Sequence, residues 1–199
     1  MPPKWFTAAG LFVILLAAAG GCVNEEVRTS IDAWNEIVDV QHRLDDEAAD
    51  SIRILNSHTD YHNQVINSRY PNYQPIRRNI ATDISNLDKW DRHLEDLSRA
   101  ISRFAGATTH LRGDAKRYAD DALTNMRAYH SEMQSAQRSY QSELNYYDLY
   151  IQTCQRGYPD DSLLHSSHND MNRGNAAVEK AYTHIDRAED SISRLERLQ

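Results

Sequence analysis

Beyond Cys22 the chain is dominated by apolar residues that recur every three or four positions. Only four glycines and three prolines lie in this part of the sequence, and most of them fall in short clusters. A spacing of three and four places apolar side chains on one face of an α-helix. The pattern therefore predicts a few long amphipathic helices, none of which can bury its apolar stripe alone.

Three interruptions divide this pattern into four segments. The first contains Pro71 and Pro75, the second lies within residues 105–114, and the third contains Gly157 and Pro159. Proline and glycine are the residues that most often end helices. The segments predict helices at approximately 24–68, 76–105, 114–156 and 163–198.

Short connections between long helices favour antiparallel neighbours. We therefore predict an all-α fold: an elongated up-down four-helix bundle with coiled-coil-like packing, in which residues 22–199 form one domain. At 1.5 Å per residue the rod would be roughly 60 Å long. A three-helix coiled coil is the alternative, if residues 105–114 do not turn. The stripes must be buried either by this bundling or by association into an oligomer.

Helices three and four predict details of the packing. Tyr118, Tyr129 and Tyr140 are eleven residues apart, and we expect them at the edge of the core with their hydroxyls in water. The fourth helix has one row of larger apolar residues and one row of small residues that would let a neighbouring helix approach closely. These rows are Met171, Val178, Ile185 and Ile192, and Gly174, Ala181, Ala188 and Leu195.

The strongly apolar run Trp5–Cys22 precedes these helices. Lys4 stands before it, and residues 19–21 are the small residues that signal peptidases accept near the cleaved bond. This arrangement resembles the lipobox of bacterial and archaeal lipoproteins, although alanine stands at position 19, where leucine is commonest. The resemblance implies that residues 1–21 are a signal peptide. It also implies that Cys22 anchors the protein through lipid to the extracytoplasmic side of the cell membrane.

Two other fates of this segment remain open. Cleavage after Ala19 would release a secreted protein without lipid. Left uncleaved, the run of roughly 18 residues would be at the short end of what spans a hydrocarbon core. In each case the remaining chain is expected to be exported.

The charge balance narrows the classes of partner. One of the 22 basic residues and none of the 29 acidic residues lie in residues 1–21, so the remainder carries a net charge of −8. An acidic surface with interspersed arginines disfavours binding to nucleic acid or to anionic lipid headgroups. We expect membrane contact only through Cys22.

The sequence contains no motif of a known catalytic or cofactor site. It has no glycine-rich phosphate loop and no GxSxG, CxxC, CxxCH or HExxH motif. No Glu-x-x-His pair is present for a di-iron site. We expect its many carboxylates on solvated helix faces, and we predict that the protein is not an enzyme and holds no cofactor.

Cys22 and Cys154 are the two cysteines of the chain. They could form a disulfide. In the predicted bundle, however, they lie at opposite ends of the rod, too far apart for a bond that needs Cα atoms within about 7 Å. We expect Cys154 to be a free thiol near the end distant from the membrane.

Histidines provide the main hint of a binding site. His58 and His62 are spaced i,i+4 and His165 and His168 are spaced i,i+3, so each pair shares one helix face. In the predicted topology both pairs lie at the distal end, and imidazoles suit Zn²⁺, Cu²⁺ or Ni²⁺. Exposed histidines without a ligand are the simpler interpretation.

The distal end is also rich in tyrosine, a residue favoured at recognition surfaces. We expect Tyr70, Tyr73 and Tyr158 to contact a protein partner there. The leading hypothesis is a membrane-anchored helical bundle that acts as a scaffold, spacer or partner-binding module. The alternative is a lipoprotein that binds a metal or a solute through the distal histidines.

Overall fold

The computed structural model describes residues 25–199, so the lipobox-like sequence and Cys22 lie outside the described residues. The described chain forms four long α-helices, one short 3₁₀ helix and no strand. Their bounds are α1 Glu25–Ile66, α2 Tyr73–Ala107, the 3₁₀ helix Thr108–His110, α3 Gly113–Gln155 and α4 Asp161–Glu196. The predicted all-α four-helix bundle is confirmed.

Local side-chain chemistry fixes where two of the helices begin. The carbonyl oxygen of the Asn72 side chain accepts a hydrogen bond from the backbone N–H of Gln74, so α2 starts three residues earlier than expected. Pro75 is tolerated there because the first-turn N–H groups of a helix have no helical partner. Asp160 caps α4 in the same way, by accepting from the N–H of Ser162 at 3.0 Å.

The connection between α2 and α3 is a real turn. The chain leaves α2 through the 3₁₀ helix and enters α3 at Gly113, whose φ of 57° lies in the left-handed region that favours glycine. Helices α2 and α3 therefore do not run on as one helix, and the three-helix alternative is wrong. Gly157, with φ of 82°, plays the same part after α3.

Hydrogen bonds between helices show the antiparallel order. As residue numbers rise along α1, those of the partners in α2 fall: Glu36 pairs with Arg103, and His58 pairs with Asp83. The other two neighbouring helix pairs show the same order, with His130 bonded to Leu94, Gln141 to Asp88, Asn125 to His184 and Ser142 to Asp170. The chain therefore runs up, down, up and down.

The core is continuous along the bundle. Its fully buried side chains include Ile37, Leu44, Trp90, Phe104 and Tyr129. Burying an aliphatic or aromatic side chain of this size stabilises the fold by about 1.5–3 kcal/mol. The described helices thus hold a complete core of their own, from the first turn of α1 to the last turn of α4.

Helix α4 packs closely on α3 through small residues. Gly174, Ala181 and Ala188 are buried, as the small-residue row predicted. A Cβ atom at Gly174 would lie 2.7 Å from Cε1 of Tyr140. In the row of larger residues, Ile185 and Ile192 are buried, whereas Met171 and Val178 are only half-buried.

The two ends of the rod differ. One end holds Glu25, where the described chain begins, and the α2–α3 connection. The other end, here called the distal tip, is formed by the connections 67–72 and 156–160 with the adjoining helix turns. The 42 residues of α1 place the two ends roughly 60 Å apart. Within residues 25–199, no helix is both long and apolar enough to cross a membrane.

Candidate functional site

The distal tip presents aromatic side chains to solvent. Tyr70 and Tyr158 are each 81% exposed and stand on the two connections that form this end. Further large side chains around the tip are also exposed: Tyr61, Tyr146 and Leu149. Such a grouping of exposed aromatic side chains at one end of the rod is typical of a surface that contacts another molecule.

The two sides of the tip carry opposite charge. Residues 61–82, around the α1–α2 connection, contain arginines but no Asp or Glu. Arg69 is exposed, and its guanidinium lies 5.5 Å from the ring centroid of Tyr70. The α3–α4 connection instead ends in the exposed acids Asp160 and Asp161.

Tyr73 and Cys154 lie just beneath this surface. Tyr73 is half-buried and packs against the core, so it offers less surface than Tyr70 and Tyr158. Cys154 is half-buried and is a free thiol. It lies in hydrogen-bonding contact with the hydroxyl of Tyr150, which raises the pKa of that tyrosine to about 12.

The histidine pairs occupy different environments. His58 Nδ1 lies 2.8 Å and 2.9 Å from the two carboxylate oxygens of Asp83, whereas His165 and His168 are exposed on α4. Within residues 25–199, no group of three or more His, Cys, Asp or Glu side chains could hold a metal ion. The structure therefore does not assemble the four histidines into one site, and we do not propose a metal centre.

His62 is part of the core rather than the rim. Its side chain is only 2% exposed, and its ring stacks on Tyr147 with a centroid distance of 5.5 Å. Burial, together with the nearby His58, lowers the pKa of His62 to about 4, so the ring is neutral at physiological pH. A neutral ring packed on an aromatic neighbour serves stability.

Three carboxylates expected on solvated faces are buried instead. Asp83, Glu143 and Asp170 come from α2, α3 and α4, and each is less than a tenth exposed. Asp170 accepts hydrogen bonds from Ser142 at 2.6 Å and from Arg173 at 2.7 Å. The Oε2 atom of Glu143 has no hydrogen-bond partner among the described residues.

Burial changes the pKa values of two of these carboxylates. Desolvation, with repulsion from Asp83 and Asp170, raises the pKa of Glu143 to about 8. Desolvation also raises the pKa of Asp83, although the hydrogen bond from His58 opposes the rise. Glu143 is therefore largely protonated near neutral pH, which avoids the high free energy of an unpaired buried charge.

A second polar cluster lies at mid-length. The hydroxyl of Tyr129 donates to Asp45 at 2.5 Å, and the amide of Gln41 also donates to that carboxylate. The hydroxyl of Tyr140 donates to Asn175 at 2.7 Å. The expectation that these hydroxyls reach water is therefore wrong, because both rings lie inside the core.

The sequence did carry a signal for the buried acids. Asp83 follows Ile80 by three residues and precedes Leu87 by four, and so occupies the apolar stripe of α2. Glu143 stands in the same relation to Tyr140 and Tyr147 on α3. Charged residues at stripe positions indicate buried ionisable groups.

The face of α3 beside α4 bears an open polar groove of about 580 Å³. It is lined by serine, glutamine and arginine side chains of α3, with Tyr146 and Asp170 at one end. Asp170 already bonds Ser142 and Arg173 there. Glu143, Asp83 and Asp45 are not among the side chains that line this groove.

Comparison with known proteins finds no matching family model, no matching curated protein and no matching solved structure. The class of the protein therefore rests on its own geometry: a long antiparallel four-helix bundle whose apolar core contains a few buried polar clusters, with exposed tyrosines at the distal tip.

Proposed function

We propose that the protein is an exported lipoprotein whose bundle holds the distal tip away from the membrane, where the tip binds a protein partner. The lipobox-like residues 19–22 precede α1 directly, and α1 begins at the end of the rod opposite the tip. A lipid on Cys22 would therefore attach the rod by one end and direct the tip outwards.

The exposure of Tyr70 and Tyr158 is the observation that carries the partner-binding part of this proposal. Each leaves 81% of its surface in solvent, although tyrosine is among the residues that contribute most to protein interfaces. Together they place two large amphipathic side chains at one end. The long helices beneath them support the spacer role.

A non-enzymatic role is favoured by where the unusual ionisable groups lie. Two of the carboxylates with raised pKa values, Glu143 and Asp83, are buried in the bundle. Asp45, whose pKa is also raised, is half-buried and accepts hydrogen bonds from Tyr129 and Gln41. General acid–base catalysis needs such a group within hydrogen-bonding reach of a substrate. Here the burial of Glu143 and Asp83 and the hydrogen bonds that Asp45 accepts support a structural role for these groups.

The membrane attachment is tested on Cys22. Mass spectrometry of the protein from its native membrane should show that residues 1–21 are absent and that a lipid mass is added. Replacing Cys22→Ser should move the protein out of the membrane fraction, whereas the matched change Cys154→Ser should not. An unmodified chain that begins at Gly20 would contradict lipid anchoring.

The tip is tested by site-specific crosslinking in intact cells. A photoreactive amino acid at position 158 should yield a defined crosslinked species. The same group at Thr124, an exposed position in the first third of α3 and distant from the tip, should not. Tyr70→Ser should weaken capture from position 158. Equal capture from both positions, or from neither, would argue against binding at the tip.

A further inference from the structure

We infer that the partner at the distal tip is a second copy of this chain, docked tip to tip about a two-fold axis perpendicular to the rod. This inference rests on the proposed role of the tip in partner binding. It is carried by the unequal distribution of charge between the two connections, each of which also presents an exposed tyrosine.

The basic side of the tip is the α1–α2 connection. Arg69 is exposed beside Tyr70, and Arg78 is exposed on the first turns of α2. Arg77 is paired with Asp148 of α3 at 2.8 Å. With no acid in residues 61–82, Arg69 and Arg78 leave this side with unneutralised positive charge.

The acidic side is the α3–α4 connection. Asp160 and Asp161 are exposed beside Tyr158, and the hydrogen bonds from Ser162 lower the pKa of Asp160, which keeps it ionised. Arg156 is exposed on the same connection, so the net charge of this side is −1. A negative side thus lies across the tip from a positive side.

A two-fold axis turns this arrangement into a self-complementary surface. In a two-fold dimer, a residue that contacts a second residue on the partner is itself matched by the reciprocal contact. Rotation about an axis perpendicular to the rod brings the basic side of each copy over the acidic side of the other. The Arg69–Asp161 attraction is then made twice, and both exposed tyrosines of each copy are covered.

The contact should be weak when the protein is free in solution. Four helices, each about 10 Å across, give an end surface of roughly 400 Å² per copy. Stable interfaces bury about 800 Å² per partner. We therefore expect a weak association in solution, with a dissociation constant of roughly 100 µM. Between two facing membranes, many anchored copies would act together and strengthen the contact.

The geometry also sets what the dimer would connect. Tip-to-tip docking makes the two rods antiparallel, so their Glu25 ends lie at opposite ends of an assembly roughly 120 Å long. Copies anchored through Cys22 in two facing membranes could form it. Copies in one flat membrane could not, because their tips point the same way.

Sedimentation equilibrium of residues 23–199 tests the dimer without the membrane; the whole described core lies within this fragment. At about 500 µM the fragment should contain a dimer that weakens as salt is added. Arg69→Glu alone and Asp161→Arg alone should each weaken association about tenfold, because each creates two like-charge contacts.

Mixing these two variants gives the decisive result. In the mixed dimer the glutamate introduced at position 69 of one copy faces the arginine introduced at position 161 of the other. The native Arg69–Asp161 contact remains, so association should return to near the unmodified strength. Arg112→Glu, an exposed arginine on the α2–α3 connection at the other end, is the matched control and should have no effect. A chain that stays monomeric at about 500 µM, or variants that associate normally, would overturn the inference.

The shape of the dimer supplies an independent check. Small-angle X-ray scattering should show a maximum dimension that about doubles between dilute and concentrated samples. A dimer of unchanged length would be side by side and would also overturn the inference. If crosslinking from position 158 captures only a different protein while the fragment stays monomeric, tip binding stands and self-association fails. If position 158 captures nothing in cells, the proposed function fails first.

Discussion

The hydroxyl of Tyr129 in α3 donates a hydrogen bond at 2.5 Å to Asp45 in α1, and so joins two helices that lie across the bundle from each other. Burial raises the pKa of Asp45 to about 6, although the hydrogen bonds from Tyr129 and Gln41 oppose the rise. At neutral pH the bundle therefore holds an ionised carboxylate whose charge is stabilised by these donors.

Tyr129→Phe should test how much the hydroxyl of Tyr129 contributes to the stability of the bundle. The ring packing is kept, but Asp45 loses its tyrosine donor, so the free energy of unfolding at pH 7.5 should fall by about 1–3 kcal/mol. The loss should be smaller at pH 4, where Asp45 is protonated. Urea denaturation measures both. Tyr118→Phe, at a half-buried ring, should change stability little; equal effects would contradict the cross-bundle role.

A pair of glycine substitutions should test the close approach of α4 to α3. A Cβ at Gly174 would lie 2.7 Å from Cε1 of Tyr140, whose hydroxyl is held by Asn175. Because that ring is buried and fixed, Gly174→Ala should destabilise by about 1–3 kcal/mol. At Gly106 a Cβ would meet nothing within 4 Å, so Gly106→Ala should stabilise α2 by about 0.5–1 kcal/mol. If thermal unfolding shows Gly174→Ala to be more stable than Gly106→Ala, the close packing of α4 on α3 is contradicted.

The fold could be predicted from the sequence because its main determinants are local. Apolar spacing located the helices, and the clusters of proline and glycine located the connections to within a few residues. Antiparallel packing then followed from the short connections. The burial of His62 was not predicted, because the distal histidines were expected to be exposed or to bind a metal.

The polar interior could not be predicted in the same way. Tyr129 and Asp45 are 84 residues apart, so nothing local to either one indicates the other. The burial of Glu143 was not predicted, although its charge falls on the stripe of α3, and its pKa depends on Asp83 and Asp170 from two other helices. For the tip, topology placed both connections at one end, while the difference between Tyr73 and its exposed neighbours arose from packing.

Glu143 should make the protein less stable as the pH rises. Its pKa is raised to about 8 by burial and by the neighbouring carboxylates, whereas the unfolded side chain titrates near 4.3. Between these values the folded state binds more protons, so the free energy of unfolding falls with rising pH. From pH 6.5 to 8 the wild type should lose about 2 kcal/mol relative to Glu143→Gln.

Urea denaturation at several pH values measures this difference. Glu179→Gln, at an exposed position of α4, is the matched control and should follow the wild type throughout. If the free energy of unfolding of Glu143→Gln changes with pH as that of the wild type does between pH 6.5 and 8, Glu143 does not bind the extra proton of the folded state.

Protonation of His62 should make the protein less stable as the pH falls. Burial, with the nearby His58, lowers its pKa to about 4, whereas an unfolded histidine titrates near 6.5. Between pH 6.5 and 4 the unfolded state binds more protons than the folded state. The contribution of neutral His62 to the free energy of unfolding is therefore complete above pH 6.5 and is lost as the pH falls towards 4. The expected loss between pH 6.5 and 4 is about 2–3 kcal/mol.

His62→Phe should remove this acid sensitivity, because a phenyl ring can still stack on Tyr147 and has no proton to bind. Since Glu143 and Asp45 titrate in the same range, the quantity to measure is the difference in unfolding free energy between variant and wild type. It should grow in favour of the variant from pH 6.5 to 4. His165→Phe, at an exposed histidine, should show a constant difference. A constant difference for His62→Phe as well would mean that His62 is protonated equally in the folded and unfolded states.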